Sequence, residues 1–302
     1  MIKILLRYIS RNWQNPERII FRICEYTLLI LKRKIFLYWI EFGLFLKNRF
    51  KIENFSFIDN EIIIITKDTT KFIYTPDSYQ TLDIEFGKKW EETELNLFKK
   101  YLTRSGIFID VGSHIGWYAI NLAVTKKVKV FAFEPSTENF EVLLKNIKLN
   151  HLEDVIIAEK KALGDKTKKT KFTKSDQLGN RILPSKTSLD HAYELVEMAT
   201  LDSYVKLKNL KNIQGIKCDI EGAELFMLEG AKRTIEKYHP YILLEIQQEW
   251  TQRYGYDANR IFSFMEKLGY KYLCITDSGK IKKPTQRSKE LTQSHNFFFY
   301  YN

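Results

Sequence analysis

The chain has 302 residues, of which 44% are hydrophobic and 28% are charged. This is the composition of a globular protein, and it excludes a chain that is mostly disordered. The formal net charge of +11 is unevenly distributed, because residues 1–51 carry eleven basic and three acidic side chains. Residues 52–302 carry 37 basic and 34 acidic ones. This nearly neutral body argues against a nucleic-acid partner.

The cysteines and the start of the chain bear on the compartment. Cys24, Cys218 and Cys274 are far apart in sequence, and none has a partner at metal-ligand spacing. We expect each to be a small buried apolar residue in a reducing compartment. The first residues lack the ordered charged, apolar and small-residue regions of a signal peptide. A cytoplasmic protein is therefore predicted.

Residues 1–50 are predicted to form a basic amphipathic helical segment. Asn15 and Pro16 are typical of a helix start. The apolar runs between charges are far shorter than the roughly 20 residues of a membrane-spanning helix. The segment could lie on an anionic membrane as a peripheral anchor, or it could be a helical cap docked on the main domain. The basic side chains that recur at helical spacing are Lys3, Arg7, Arg11, Arg18 and Arg22.

Residues 51–90 are predicted to form a β-hairpin cap, with strands at 61–66 and 71–74 around a polar loop. From residue 91 to residue 302, predicted helices and strands alternate as in a doubly wound α/β domain, and the last two strands form an antiparallel hairpin. Residues 165–195 are predicted to be an irregular, lysine-rich loop that could fold over the ligand edge. The predicted helices span residues 91–102, 137–150, 221–238 and 257–268, and the strands after residue 150 span residues 154–158, 215–220, 241–246, 271–275 and 296–301.

The stretch from Phe108 to Gly116 is the most informative in the chain. An apolar run ends in Asp110, and Gly112 and Gly116 follow before a helical pattern begins. This pattern predicts a buried parallel strand that turns sharply into a helix at the ligand edge of the sheet. It is not the dinucleotide fingerprint, because Asp110 stands where that motif has its first glycine. A carboxylate there suits a ligand with a cationic amino group, such as S-adenosylmethionine.

The next predicted strand begins at residue 128, and Glu134 is the acid at its end. It lies about 20 residues after the glycine turn, where a βαβ unit places the carboxylate that binds ribose hydroxyls. If Glu134 were the one acid at a predicted strand end, we would interpret it as a solvated surface residue. With an acid at the end of each of two consecutive strands, we favour the ribose ligand.

Three more acids are predicted at the same edge of the sheet. Asp219 and Glu221 follow one strand, and Glu245 lies near the end of another. Carboxylates that lie close together raise one another's pKa, which favours a general base. Glu221 could instead be an acid stabilised at a helix N-terminus. The same three acids could also hold Mg²⁺, although no dedicated metal loop is present and we predict no metal site.

Several sequence blocks together resemble the FkbM family of S-adenosylmethionine-dependent methyltransferases. They come in the family's order, and the resemblance covers roughly residues 90–301. It implies a class I methyltransferase fold, with a Rossmann-like, mostly parallel sheet and a reversed last strand, and it implies O-methyl transfer. It also implies that Asp110, Gly112 and Gly116 bind the methionine portion of the cofactor, and that Glu134 binds the ribose. Leu163 and Asp165 stand where such folds contact adenine. The blocks are residues 108–116, 133–135, 161–165, 200–204 and 216–231.

The sequence therefore predicts an S-adenosylmethionine-dependent O-methyltransferase with catalytic acids Asp219, Glu221 and Glu245. We expect its acceptor to be a hydroxyl of a glycan, a glycolipid or a related small molecule. An RNA methyltransferase is one alternative, and it would need a basic, aromatic-rich face beside the cofactor. A non-enzymatic module that docks a membrane or protein through residues 1–50 is another. A dehydrogenase fits least, because the glycine pattern differs.

Overall fold

The computed structural model describes residues 55–58, 61–66, 68–73, 91–174, 181–184, 192–292 and 294–301. All of them belong to the second of the two units into which the chain divides, Met1–Asn54 and Phe55–Asn302. The predicted basic helical segment and all of residues 74–90 lie outside the described residues. The proposed boundaries between residues 1–50, 51–90 and 91–302 stay predictions. In the described part of the chain, no helix is both long enough and apolar enough to cross a membrane.

The described chain alternates between strands and helices. The strands are β1 (Phe55–Ile58), β2 (Glu61–Ile65), β3 (Lys71–Ile73), β4 (Ile107–Val111), β5 (Lys129–Phe133), β6 (Ile156–Glu159), β7 (Ala162–Leu163), β8 (Lys168–Thr173), β9 (Tyr193–Ala199), β10 (Ile213–Cys218), β11 (Tyr241–Glu245), β12 (Tyr270–Thr276), β13 (Ile281–Lys282) and β14 (Ser294–Tyr301). The helices are α1 (Glu92–Tyr101), α2 (Trp117–Lys126), α3 (Thr137–Leu149), α4 (Leu201–Leu207), α5 (Glu224–Gly230), α6 (Lys232–Tyr238), α7 (Gln248–Arg253), α8 (Asn259–Lys267) and α9 (Arg287–Glu290).

The central sheet has eight strands in the order β13-β12-β14-β11-β10-β4-β5-β6. Strands β6, β5, β4, β10 and β11 pair in parallel, whereas β14 is antiparallel to both of its neighbours. This is a doubly wound, mostly parallel sheet with a reversed last strand, so the predicted fold class is confirmed. The predicted hairpin near the chain end is also confirmed, as the pair β12 and β14.

The register of the sheet brings four strand ends together. Val111 pairs with both Phe133 and Cys218, and Cys218 also pairs with Leu244. The residues that follow these positions therefore lie at one carboxyl edge, which is where α/β sheets bind ligands. They include Gly112, Glu134, Asp219 and Glu245.

Apolar side chains cover both faces of the central sheet. On β4, Ile109 and Val111 belong to one buried cluster, and Phe108 belongs to the cluster on the other face, with α1 and α2. The ring centroid of Phe108 is 4.8 Å from that of Phe98 in an edge-to-face contact. A fully buried side chain of this size stabilises the fold by about 1.5–3 kcal/mol. Burial on both faces explains why β4 is a nearly continuous apolar run.

The structure corrects the prediction of a loop over residues 165–195. Strands β7, β9 and β8 form a small three-stranded sheet in that order. Four apolar side chains form its own buried cluster, namely Ala162, Phe172, Val196 and Met198. On β8 the buried Phe172 follows Lys168, Lys169 and Lys171, and this density of lysines hid the period-2 pattern of a strand. Residues 175–180 and 185–191 lie outside the described residues.

The predicted helix over residues 221–238 is two helices, α5 and α6, and it begins three residues later than predicted. Glu221 and Gly222 have φ values of 60° and 102°, which are left-handed conformations that a helix cannot include. Gly230 ends α5, and a Cβ there would lie 2.0 Å from the Gly164 carbonyl oxygen. The block at 200–204 opens a helix, since the Thr200 side chain accepts a hydrogen bond from the Ser203 amide at the start of α4.

The predicted β-hairpin is confirmed as β2 and β3, and β1 adds a third antiparallel strand. Two asparagines of the α3 region hold β3 in place. The Asn150 side chain accepts from the Lys71 amide, and the Asn146 side chain accepts from the Ile73 amide, each at 2.8 Å. Because these side chains satisfy backbone groups of an edge strand, they fix the hairpin against α3.

Candidate active site

The turn after β4 is built on two glycines in left-handed conformations. Gly112 has φ 73° and Gly116 has φ 92°. The amides of Gly112 and Ser113 both donate to the Phe133 carbonyl, at 3.0 and 3.1 Å. A Cβ at Gly112 would lie 2.0 Å from the Asp219 carbonyl oxygen. Glycine is therefore required here because two turns of the sheet edge touch each other.

Gly116 has a similar structural task. A Cβ there would lie 2.7 Å from the Leu143 side chain, so the glycine lets α2 pack closely on α3. The sequence predicted that this turn brings backbone close to a ligand. In the structure, the space left by the missing side chains of Gly112 and Gly116 is occupied by other parts of the protein. Contact between these glycines and the methionine portion of the cofactor stays a prediction.

Asp110 is buried beneath the turn, with 1% of its surface exposed. One carboxylate oxygen accepts a hydrogen bond from the Ala119 amide at 3.2 Å, and the other has no hydrogen-bond partner among the described residues. Burial raises the pKa of Asp110 to about 6, against the lowering effect of Lys217. A buried acceptor without a donor fits an amino group, so this residue is chemically suited to the predicted cofactor.

Glu134 lies at the end of β5, and its carboxylate organises the neighbouring turns. It accepts hydrogen bonds from the His114 amide at 2.8 Å and from the Ser136 amide at 2.9 Å. Burial raises its pKa to about 7, although these hydrogen bonds favour the charged form. Each carboxylate oxygen still has a lone-pair site for another donor. Glu134 can therefore accept ribose hydroxyls, as predicted from the sequence.

Asp219 and Glu245 face each other at the ends of β10 and β11, and their carboxyl groups share a hydrogen bond. Burial and the neighbouring Asp219 raise the pKa of Glu245 well above its usual range. Burial also raises the pKa of Asp219, but Lys217 and the hydrogen bond from Glu245 outweigh this effect and lower it. Glu245 therefore keeps its proton at neutral pH, whereas Asp219 is ionised.

Glu221 lies in the turn between β10 and α5, partly buried and outside the helix. One of its carboxylate oxygens is buried and has no hydrogen-bond partner among the described residues. Burial, and then the negative charge of Asp219, raises the pKa of Glu221 to about 8. The alternative of an acid at a helix N-terminus applies instead to Glu224. That carboxylate accepts from the amides of Ile220 and Gly222, both at 3.1 Å, and is fully buried.

Leu163 and Asp165 lie apart from these residues. The Leu163 side chain is 2% exposed and belongs to the apolar core. The Asp165 carboxylate pairs with Lys166 at 3.4 Å. No described hydrogen bond or ion pair links either side chain to the glycine turn. Their contact with adenine stays a prediction.

Two charged residues of this edge were not predicted from the sequence, namely Lys217 and Glu91. The Lys217 side chain is 9% exposed and lies 3.3 Å from an Asp219 carboxylate oxygen. Glu91 precedes α1, and burial raises its pKa to about 7. A charge inside an otherwise apolar predicted strand was an available signal for Lys217. Glu91 gave no such signal, because it contacts this edge only through the tertiary fold.

No group of three or more His, Cys, Asp and Glu side chains is arranged to hold a metal ion within the ranges that the structure describes. Lys217 already pairs with one of the acids that the magnesium alternative would use.

Comparison with known proteins places this fold in a family. The model of the methyltransferase FkbM domain matches residues 110–272. The FkbM methyltransferase structure from Methylobacillus flagellatus KT is 18% identical, with 66% of this chain and 44% of that chain covered and a TM-score of 0.43. The chain therefore spans less than half the length of that structure. No curated protein matches the sequence significantly.

Two other solved structures show similarly low identity. The O-methyltransferase from Bacillus cereus in complex with SAH is 12% identical, with 70% of this chain and 80% of that chain covered and a TM-score of 0.41. The rRNA methylase from Streptococcus thermophilus is 12% identical, with 69% of this chain and 93% of that chain covered and a TM-score of 0.40. Because the FkbM model matches more than half of the sequence, this chain belongs to the FkbM family of methyltransferases, with a class I fold and S-adenosylmethionine as the cofactor.

Proposed function

We propose that the protein transfers a methyl group from S-adenosylmethionine to a hydroxyl of a glycan, a glycolipid or a related small molecule. The observation that carries this proposal is the carboxyl pair Asp219 and Glu245, which lies beside the glycine turn at the carboxyl edge of the sheet. One member is ionised and one is protonated. Such a pair supplies a base next to the place where the fold binds its ligand.

A hydroxyl acceptor gives this pair its task. When bound, S-adenosylmethionine supplies an electrophilic methyl group. The alcohol is a poor nucleophile until its proton leaves, so the protein must take up that proton. In this proposal Asp219 is the proton acceptor, and Glu245 donates a hydrogen bond to it. Glu221, in the adjoining turn, is a further acid able to orient the acceptor.

The cofactor would be held by the residues of the neighbouring turns. Asp110 offers a buried carboxylate oxygen without a partner, and Glu134 offers acceptor sites for ribose hydroxyls. Charge-assisted hydrogen bonds of this kind contribute about 1.5–3 kcal/mol each.

The charge at the edge supports a glycan rather than RNA as the acceptor. Residues 52–302 are nearly neutral overall, and the acids Asp219, Glu221 and Glu245 lie where the acceptor would react. The negative charge of Asp219, together with the nearly neutral body, disfavours a polyanion. A glycolipid acceptor would also explain the basic residues 1–50, which we propose as a peripheral contact with an anionic membrane in the cytoplasm.

Mass spectrometry of glycans and glycolipids tests the proposal, using cells with the gene, without it, and complemented with Asp219→Asn. Loss of the gene should remove the mass of one methyl group from one sugar. The natural gene should restore that mass, and the variant should not. Glu153→Gln, at an exposed acid just before β6 and so at the opposite, amino end of the parallel strands, should restore it like the natural gene. A methyl group lost from RNA instead, with all glycan masses unchanged, would contradict the proposal.

A further inference from the structure

Lys217 is a buried cation at the centre of the acidic sheet edge. It is the register partner of Asp110 on the adjacent strand, so both side chains stand on the same face of the sheet. The side-chain ammonium donates a hydrogen bond to the Gly112 carbonyl at 3.0 Å and lies 3.3 Å from an Asp219 carboxylate oxygen. It also lies 5.6 Å from the centroid of the Tyr118 ring. One side chain thus contacts both the glycine turn and the carboxyl pair.

Charged and titratable groups from several elements act on this ammonium or respond to it. Burial lowers the pKa of Lys217, but the surrounding carboxylates outweigh burial and raise it above its usual range. Lys217 is therefore charged at neutral pH. The groups are Glu91 before α1, Asp110 on β4, His114 in the glycine turn, Tyr118 on α2, Glu134 after β5, Cys218 on β10 and Asp219 after β10.

We propose that Lys217 is a positioning residue that fixes the negative charge of the carboxyl pair on Asp219 and ties this charge to the glycine turn. This inference deepens the proposed function, because it assigns separate tasks to the two acids. Asp219 is the proton acceptor. Glu245 stays protonated and orients Asp219 through their shared hydrogen bond.

The contacts of the two acids differ in the way that this assignment requires. Asp219 has the lysine ammonium on one side and the Glu245 carboxyl group on the other. The described partners of the Glu245 side chain are Gln247, whose amide donates to it at 2.9 Å, and Asp219 itself. A buried ammonium stabilises the nearer carboxylate, so the single negative charge belongs on Asp219.

The contact with Gly112 adds the second part of the proposal. The Gly112 carbonyl accepts from Lys217, while the space of the missing Gly112 side chain is filled by the Asp219 carbonyl. The position of Asp219 and the shape of the glycine turn are therefore set by the same two contacts. Removing the lysine should disturb cofactor affinity as well as the charge of Asp219.

Carbon-13 NMR of the full chain labelled at Asp and Glu side-chain carboxyl carbons tests this, in the complex with S-adenosylhomocysteine. The signals are assigned from Asp219→Asn and Glu245→Gln. In the natural protein at pH 7, Asp219 should be ionised and Glu245 protonated. In Lys217→Met, the titration midpoint of Asp219 should rise by about one to three pH units. Lys211→Met, an exposed lysine variant, should leave it unchanged.

Two further variants separate charge from turn geometry. Lys217→Gln removes the charge and keeps a donor for the Gly112 carbonyl, so Asp219 should titrate as in Lys217→Met while S-adenosylhomocysteine affinity falls less. Lys217→Arg should restore the titration of the natural protein. The proposal would be overturned if the titration midpoint of Asp219 were unchanged in Lys217→Met or Lys217→Gln. It would also be overturned if Glu245 were ionised and Asp219 protonated in the natural protein. The natural protein decides the second point even if the variants fail to fold. These measurements use no acceptor, so they are independent of whether a glycan is methylated.

Discussion

At the scale of single residues, the candidate site separates carboxyl groups that look alike in the sequence. Glu134 holds two turns together, and Asp219 pairs with Lys217. Glu224 accepts hydrogen bonds from two backbone amides on one oxygen, whereas its other oxygen and one oxygen of Glu221 are buried without a hydrogen-bond partner among the described residues. The environment of each group, rather than its residue type, assigns its role.

Substitutions that remove the charge or the proton of the carboxyl pair should separate binding from catalysis. Asp219→Asn and Glu245→Gln keep the shape of the side chains, so S-adenosylhomocysteine affinity should stay within about threefold while turnover falls by about 10²-fold or more. Calorimetry and a methyl-transfer assay measure the two effects. Glu249→Gln, an exposed variant on α7, is the matched control. Activity that chelators abolish and Mg²⁺ restores would replace the general-base account with the magnesium alternative.

At the scale of elements, the site depends on two turns that touch, the one after β4 and the one after β10. The Gly112 position lies against the Asp219 carbonyl, and the Asp219 amide donates to the Val111 carbonyl at 3.2 Å. This packing leaves no room for a side chain on Gly112. The geometry of the proposed base and the geometry of the cofactor turn are therefore linked by backbone contacts.

Gly112→Ala should be strongly destabilising. Its φ of 73° alone costs an alanine about 1–2 kcal/mol, and the overlap with the Asp219 carbonyl adds about 1–3 kcal/mol. Gly255→Ala is a matched control, because Gly255 has a similar φ of 77° and open space around it. Urea unfolding should show a clearly larger loss of stability for Gly112→Ala. Equal losses for the two variants would show that the contact with Asp219 has no energetic weight.

The sequence predicted the elements that depend on apolar periodicity and turn chemistry. It placed β4, β5, the end strands and α3 within a few residues, because a buried parallel strand and an amphipathic helix have distinct patterns. It missed the small sheet of β7, β8 and β9, where dense lysines mask the alternation. It also joined α5 to α6, since the break depends on the contact between Gly230 and Gly164, which is far away in sequence.

The site was predictable to the extent that strand ends converge. Asp110, Glu134, Asp219 and Glu245 all ended predicted strands, and parallel strands bring their carboxyl ends to one edge. Lys217 and Glu91 required the tertiary structure. The division between an ionised Asp219 and a protonated Glu245 also required it, because that division depends on which carboxylate faces the lysine.

At the scale of the whole molecule, the acidic edge should make stability depend on pH. Burial raises the pKa of Glu91, Glu134 and Glu224 to about 7 and that of Glu221 to about 8. The unfolded chain has already released these protons above about pH 6. Between pH 7 and pH 8.5 the folded state therefore binds more protons, and the free energy of unfolding falls as pH rises.

Urea unfolding without ligand measures this dependence. The midpoint should decrease from pH 7 to pH 8.5, and Glu221→Gln should show a shallower decrease because it removes one of the titrating groups. Two other groups with shifted pKa values do not interfere over this pH range. His114, with a pKa lowered to about 4, adds little above pH 7, and Lys217 stays charged. A midpoint that rises over this range would contradict the charge states described for the edge.

The basic segment should give the whole molecule affinity for anionic membranes. Residues 1–51 carry a net charge of +8. Each basic residue near an anionic surface contributes about 1 kcal/mol, and salt screens this attraction. Cosedimentation with phosphatidylserine vesicles should be strong at low salt and weak at high salt, and neutral vesicles should bind less. Replacing Arg7, Arg11, Arg18 and Arg22 with Gln should weaken binding without changing S-adenosylhomocysteine affinity. Failure to bind anionic vesicles at low salt would favour the helical cap.

The central claim is that the edge formed by β4 and β5 holds S-adenosylmethionine, and calorimetry of S-adenosylhomocysteine binding to Glu134→Ala tests it most directly. Glu138→Ala, which removes an exposed acid in the first turn of α3, is the control. Loss of the Glu134 carboxylate removes the acceptors for the ribose hydroxyls, so affinity should fall at least about tenfold, while the control should bind like the natural protein. A folded Glu134→Ala variant that binds S-adenosylhomocysteine as tightly as the natural protein would contradict the account.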